Sequence, residues 1–127
     1  MSLVASFVAV AIGGSAGACA RYAVTLLLAN NEARIPYGTL IANLSGALLA
    51  GILLTVFVSR GLANSPLYFL LVTGFLGSYT TLSAFSVETL QVFQQGDPVA
   101  AIVNISATVI GALGAALLGI WLARLIV

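Results

Sequence analysis

Four long apolar stretches separated by short polar connectors make up almost the whole chain. The stretches cover residues 3–28, 39–59, 67–93 and 99–125, and the connectors carry the Asn, Arg, Asp, Gly and Pro residues typical of turns. A helix rises about 1.5 Å per residue and needs about 20 residues to cross the hydrocarbon of a bilayer. The pattern therefore predicts an all-α membrane protein, a single domain of four transmembrane helices.

Composition supports a membrane location and argues against an enzyme. Of the 127 residues 61% are hydrophobic and 6% are charged, and the mean hydropathy is +1.19, whereas a soluble domain carries about 25% charged residues. The absence of His, the single Cys19 and the scarcity of carboxylates exclude imidazole-bound zinc or haem, a Ser-His-Asp hydrolase and an intrachain disulfide. A net charge of +1 without a basic cluster excludes nucleic acid as a partner.

The few charges do not orient the chain in the membrane. With four spans, both termini share one side with Arg60 and Arg124, while Arg34 lies on the other side. Arg21 lies about 27 Å along the first helix, so it can reach that second interface. Two arginines then balance two, and the positive-inside rule predicts no bias. This balance fits a small protein with few charges, and it equally fits a chain that inserts in both orientations and pairs with an inverted copy.

The third stretch contains a segment that is weakly helical. Residues 77–81 lie near the middle of the span, and their Gly, Ser, Tyr and Thr side chains give up about 3 kcal/mol of helix propensity. Besides Tyr79, five Ser and Thr residues fall in the stretch from Ser78 to Ser86. We expect a break here, with freed carbonyl groups that line a cavity or bind a monovalent cation or a water. The alternative is a continuous helix that is only bent by hydroxyls bonded to the carbonyl four residues earlier.

Polar side chains inside the other spans suggest a path for a small solute. Asn43 lies in the middle of the second span, where an unpaired amide costs several kcal/mol, although it could simply join two helices. Asn104 and Thr108 lie one helical turn apart in the fourth span, and the ring edge of Phe85 can face an anion. Neutral donors without a buried cation suit a small anion that must also be released. The same groups would also suit water, a polar solute or a small cation. One four-helix unit is thin for enclosing a water-filled path, so we expect the functional protein to contain at least two copies of the chain.

Three blocks of sequence resemble the Fluc (CrcB) family of fluoride channels. They are Gly-Gly-Ser-Ala-Gly at 13–17 followed by Arg21 and Tyr22, Gly-Thr-Leu-Ile-Ala-Asn-Leu-Ser-Gly at 38–46, and Thr-Gly-Phe-Leu-Gly-Ser-Tyr-Thr-Thr-Leu-Ser-Ala-Phe-Ser-Val-Glu-Thr at 73–89. The resemblance extends over nearly the whole chain. It implies a passive channel that exports fluoride across the cytoplasmic membrane of a microbe.

The resemblance also implies an assembly and a set of site residues. The assembly is an antiparallel, dual-topology dimer with two pores, each built from both subunits, around a central structural sodium ion. The sodium would be held by the backbone carbonyls of Gly77 and Thr80, and Arg21 would lie in the vestibule. The residues expected to line the pores are Asn43, Thr81, Leu82, Ser83, Phe85, Asn104 and Thr108.

Some residues depart from the family pattern. Leu82 stands where the family has a pore phenylalanine, and Ala84, Ala112 and Ala116 stand where it tends to have hydroxyls. Either a homodimer tolerates these changes, or the chain is a non-conducting subunit that pairs with a homologous chain. A further alternative is a small dual-topology, proton-coupled exporter of cations, which would need a carboxylate within the membrane, and only Glu88, near a helix end, is available.

Overall fold

The computed structural model describes residues 2–30 and 33–127, and regular structure in this part of the chain is helical. Four helical spans are long and apolar enough to cross a membrane: Leu3–Leu27, Tyr37–Ser59, Pro66–Gln94 and Pro98–Arg124. The protein is a multi-pass membrane protein of the all-α class, as predicted. The first two spans are single helices, α1 (Leu3–Leu27) and α2 (Tyr37–Ser59), and the fourth is α6 (Pro98–Arg124).

The third span consists of two halves. The first half begins with one turn, α3 (Pro66–Tyr68), continues as a π-helix (Phe69–Leu76) and ends with one turn, α4 (Gly77–Tyr79). The second half is α5 (Leu82–Gln94). Turn chemistry marks both ends of this span, because the Ser65 hydroxyl caps α3 ahead of Pro66 and Gly96 adopts a φ of 89° before α6.

The two halves are separated by extended backbone at Thr80 and Thr81. Thr80 has φ/ψ of −83°/154° and Thr81 has −152°/120°, so neither residue continues the helix. The Thr81 hydroxyl accepts a hydrogen bond from the Ala84 N–H at 3.2 Å and thereby caps α5. The sequence-based expectation of a break is confirmed, and the alternative of a bent but continuous helix is wrong.

Close helix contacts in the interior depend on glycine. Gly13 and Gly17 of α1 face the backbone carbonyls of Leu70 and Phe75 in the π-helix, and a Cβ atom at either glycine would overlap those carbonyls. Small residues let helix backbones approach where lipid provides no hydrophobic reason for association. Large apolar side chains such as Leu113 and Trp121 are exposed around the outside, as suits a surface that faces lipid.

Candidate functional site

A groove of about 500 Å³ opens beside the break in the third span. Its wall is formed by α2, both halves of the third span and α6. Five of the residues predicted to line a pore lie on it: Asn43, Thr81, Leu82, Phe85 and Thr108. The predicted sodium ligands Gly77 and Thr80 lie on the same wall, whereas Ser83 and Asn104 are not among its lining residues. The tertiary structure thus brings most of the predicted site to one place.

Asn43 is paired with the backbone of the break. Its Nδ2 donates to the Thr81 carbonyl at 3.0 Å, and its Oδ1 accepts from the Thr81 N–H at 2.8 Å. A primary amide can offer a donor and an acceptor side by side, which is the pattern that a neighbouring strand would present to an extended residue. Asn43 therefore satisfies the two backbone groups of Thr81 at a membrane depth where water is absent.

This pairing changes which backbone carbonyls are left for other partners. In an uninterrupted helix the Gly77 carbonyl would receive the Thr81 N–H, and the Thr80 carbonyl would receive the Ala84 N–H. Here the Thr81 N–H donates to Asn43, and the Ala84 N–H donates to the Thr81 hydroxyl. Gly77 and Thr80 are thus two of the carbonyls at the break whose regular donors bond elsewhere.

The carbonyl between them in sequence, that of Ser78, has a different partner. Arg21 of α1 donates from Nε to the Ser78 oxygen at 3.0 Å. The sequence predicts that Arg21 can reach the membrane interface, but its hydrogen bond is made beside the break in the third span. The physical reason is that a carbonyl at the end of a half-helix carries partial negative charge and lacks a helical donor, so it attracts a cationic donor.

One contact near the break carries no signal in the sequence pattern. The Tyr79 ring stacks on Phe75 with centroids 5.6 Å apart, and its hydroxyl lies 2.9 Å from the Ser45 hydroxyl of α2. Tyr79 is buried with 8% of its surface exposed, although it lies next to the break. Pairing a tyrosine with a serine 34 residues away requires the tertiary structure, because neither residue is unusual in its own span.

The groove is open and its wall is largely apolar. Leu82 exposes 76% of its surface, and Ala47, Ala50 and Ala112 contribute small side chains. The wall formed by the described residues bears hydroxyl, amide and backbone groups but no ionisable side chain. A single chain therefore presents one side of a potential path and does not enclose it.

Asn104 and Thr108 are buried between α6 and α5. Asn104 is 1% exposed and donates from Nδ2 to the Thr89 hydroxyl at 2.8 Å. The Asn104 Oδ1 and the Thr108 hydroxyl are buried without a hydrogen-bond partner among the described residues. Thr108 reaches the groove, and Asn104 lies behind it.

Glu88 lies deeper than its place near a helix end suggested. It is half-buried, and its Oε2 atom has no hydrogen-bond partner in the described part of the chain. It lines a separate cavity of about 150 Å³ with Thr25, Gly38 and Thr39 at the start of α2.

The donor set around the break suits a hard monovalent cation more than a transition metal. Across residues 2–30 and 33–127, no group of three or more His, Cys, Asp or Glu side chains could hold a metal ion. The available groups are backbone carbonyls, and neutral oxygen ligands favour cations such as sodium. The freed carbonyls of Gly77 and Thr80 fit such an ion.

These features define a small four-span membrane protein in which an asparagine of the second span forms hydrogen bonds with the interrupted backbone of the third. The chain matches the family described as "CrcB-like protein, Camphor Resistance (CrcB)" over residues 8–120, and it belongs to that family. Similar proteins named "Fluoride-specific ion channel FluC" occur in several bacteria. The one from Legionella pneumophila (strain Paris) is 43% identical over 123 residues, which is 96% of this chain and 92% of that protein.

Two further relatives with the same name come from other organisms. The protein of Francisella tularensis subsp. mediasiatica is 39% identical over 117 residues, covering 89% of this chain and 90% of that protein. The protein of Ruminiclostridium cellulolyticum is 40% identical over 120 residues, covering 94% and 92%. The family match over residues 8–120 covers the part of the chain that contains the whole groove.

Proposed function

We propose that this protein is a passive, fluoride-selective ion channel that exports fluoride across the cytoplasmic membrane. The observation that carries the proposal is the groove beside the break that Asn43 holds. The relatives named fluoride-specific ion channels match this chain over about nine-tenths of their own length. An ion channel is not an enzyme, and this agrees with a sequence that lacks the groups of common hydrolytic and metal sites.

The chemistry of the groove suits a small anion that must pass through quickly. Thr81 and Thr108 provide hydroxyls, and Phe85 provides a ring whose edge carries partial positive charge. A lysine or arginine on the wall would hold fluoride too tightly, whereas neutral donors bind it weakly enough for release. Asn43 keeps one amide hydrogen beyond the one given to Thr81, so it can both hold the break and face the groove.

The proposed channel is an antiparallel dimer with two pores. The groove is open on one side, and an exposed Leu82 at mid-membrane requires either lipid or a second chain against it. Outside the interior of the spans, Arg60 and Arg124 stand on one side and Arg34 on the other, a difference of one arginine, and so small a bias allows one copy to insert inverted. A second copy of this chain, placed over the groove, would close the path and complete its wall.

The proposed sodium ion would lie between the two chains. Gly77 and Thr80 would hold it through the carbonyls whose helical donors are diverted to Asn43 and Thr81. When bound, the ion supplies a fixed positive charge and ties the breaks of the two subunits together. Arg21 is proposed for the vestibule, and its bond to Ser78 keeps a second positive charge near the same backbone segment.

A second candidate is a subunit that conducts only with a homologous partner. Leu82 and Ala112 line the groove where the family pattern predicts a ring and a hydroxyl. A homodimer would then lack two of the expected contacts in each path. This candidate predicts no fluoride flux from the chain alone and recovery of flux when a homologous chain is added.

Ion efflux from liposomes tests the proposal. The purified chain is reconstituted, external fluoride is followed with a selective electrode, and a potassium ionophore dissipates the membrane potential. We expect fluoride release far faster than chloride release under the same conditions. Equal release of both ions, or no release in either the chain alone or a mixture with a homologous chain, would contradict a fluoride channel.

Leu82→Phe separates the two candidates. Restoring a ring on the groove should raise the fluoride flux of a conducting homodimer only modestly, whereas it should switch on flux in a chain that is silent alone. Leu90→Phe is the matched control, because Leu90 is 60% exposed on the same helix and does not line the groove.

A further inference from the structure

We propose that Asn104 and Thr89 are positioning residues for Phe85, and that Asn104 acts on fluoride permeation without contacting the ion. This inference rests on the proposed function for its flux measurements. The geometry behind it is a chain of hydrogen bonds that begins on α6, crosses to α5 and ends on the backbone of Phe85. Phe85 lines the groove, whereas Asn104 and Thr89 are not among the lining residues.

The direction of each hydrogen bond in this chain is determined. The Thr89 hydroxyl donates its only hydrogen to the Phe85 carbonyl at 2.6 Å. It can then only accept from Asn104, so the atom of Asn104 that lies 2.8 Å away must be the Nδ2 donor. The amide cannot be flipped without placing two acceptors against each other. Among the residues that the structure describes, Oδ1 consequently has no hydrogen-bond partner.

That unpartnered oxygen argues against direct contact between Asn104 and an anion. Its Oδ1 is a carbonyl oxygen, which repels fluoride, and its second amide hydrogen is not open to the groove, because the residue as a whole is 1% exposed and does not line the groove. Burial of an unpaired carbonyl opposes folding, so the amide is not explained by stability alone. The arrangement is explained if the amide is retained for the hydrogen bond that it gives to Thr89.

Phe85 also lies between two helix contacts that are made by asparagines. Asn43 of α2 holds Thr81 at the start of α5, and Asn104 of α6 holds Thr89 two turns later. Phe85 lies midway between these points, four residues from each. Holding α5 at its start and again two turns along fixes its rotation about its own axis, and this rotation sets the direction in which the Phe85 ring enters the groove.

Isosteric substitutions separate positioning from lining. Thr89→Val removes the hydroxyl and keeps the shape, and we expect about a tenfold fall in fluoride efflux. Asn104→Leu removes the amide together with the unpartnered oxygen, so we expect a similar fall in efflux with an unfolding temperature that is not lowered. The double variant should lose no more fluoride efflux than either single variant, because both substitutions interrupt the same series of hydrogen bonds from Asn104 to Phe85.

Two further variants serve as controls. Thr89→Ser keeps the hydroxyl and should retain the wild-type flux. Ser86→Ala removes a hydroxyl of the same helix that donates only to its own Leu82 carbonyl, at 2.8 Å, and should also leave flux unchanged. A loss of flux in Thr89→Ser equal to that in Thr89→Val would overturn the inference, as would a loss in Asn104→Leu that Thr89→Val does not share.

A spectroscopic measurement tests the inference independently of transport. A trifluoromethyl-phenylalanine placed at position 85 reports the environment of that ring by ¹⁹F NMR of the protein in detergent micelles. We expect one narrow resonance in the otherwise unchanged chain and in Ser86→Ala, and a shifted or broadened resonance in Thr89→Val and Asn104→Leu. Identical spectra in all four would refute positioning. A chain that carries no fluoride yet shows the expected spectra would refute the proposed function alone.

Discussion

Asn43 and Thr81 form a two-point contact in which one side-chain amide replaces the backbone partners of an extended residue, with hydrogen bonds of 3.0 and 2.8 Å. The contact joins α2 to the interruption of the third span. It satisfies both backbone groups of Thr81 within the membrane span and takes the Thr81 N–H away from the Gly77 carbonyl. Much of the candidate site therefore depends on one asparagine.

Replacing Asn43 by Asp should abolish fluoride efflux. A carboxylate cannot donate to the Thr81 carbonyl, so two acceptors would face each other at the break, and a negative charge would stand in the path of an anion. Efflux from liposomes measures the effect. Asn64→Asp, which adds the same charge in the exposed α2–α3 connection, should leave efflux unchanged. Wild-type flux in Asn43→Asp would show that Asn43 neither holds the break nor lines the anion path.

Gly17→Ala should destabilise the protein by about 1 to 3 kcal/mol. The new methyl group would overlap the Phe75 carbonyl, so α1 would have to move away from the π-helix. Arg21 lies one turn further along the same face of α1, and its bond to Ser78 should weaken with that movement.

Thermal unfolding in detergent measures this change. Gly114→Ala is the matched control, since nothing lies within 4 Å of the added Cβ and alanine is the better helix former. We expect Gly114→Ala to be neutral or stabilising. Equal effects of the two substitutions would mean that the α1 contact does not require glycine.

Sodium should stabilise the protein if the carbonyls of Gly77 and Thr80 hold it. A ligand that binds only the folded state raises stability with its concentration, by at most about 1.4 kcal/mol per tenfold increase for one site. The measurement is the unfolding temperature in sodium chloride against the same ionic strength of N-methylglucamine chloride. An unfolding temperature that is the same in both salts would contradict the sodium site without affecting the proposed anion path.

Acid should weaken the contact between two connectors outside the membrane. Asp97 accepts from the Ala100 N–H at 2.9 Å and from Arg34 at 2.7 Å, and these two hydrogen bonds hold its pKa below the usual value of 3.8. A lowered folded-state pKa means that the stabilisation is present above pH 3.8 and is lost as pH falls through the lower folded value.

Unfolding temperatures across the pH range test this sign. Asp97→Asn keeps an acceptor for the helix cap but loses the charge. Its unfolding temperature should therefore lack the fall below pH 3.8 that protonation of Asp97 causes in the wild type. Asp97→Ala loses the cap as well and should be less stable than Asp97→Asn at neutral pH. A wild-type curve that falls between pH 5 and 7 would have to come from another group.

The four spans and the break could be predicted from local features of the chain. Apolar stretches of more than 20 residues with at most one charge each have few alternatives to membrane helices, and the cluster of weak helix formers at residues 77–81 marks the interruption. The structure narrows that interruption to Thr80 and Thr81, because Gly77 to Tyr79 still complete a helical turn. Asn43 was also recognisable, since an amide in the middle of an apolar span needs a partner.

The identity of each partner could not be predicted in the same way. Local sequence does not say that Asn43 meets Thr81, that Arg21 meets Ser78 beside the break, or that Asn104 lies behind the groove and contacts Thr89. Pattern alone grouped Asn104 with the lining residues because it shares a helix face with Thr108. Small rotations between helices decide which of two such neighbours reaches the groove.

By itself, the sequence determined that the protein crosses a membrane four times, that its third helix is interrupted and that polar groups lie within the apolar spans, because hydropathy and helix propensity are properties of neighbouring residues. Only the tertiary structure decided how those polar groups are paired. In a medium without water each donor must find an acceptor on another helix, and the distances between helices, set by contacts such as those of Gly13 and Gly17, determine which acceptor it reaches.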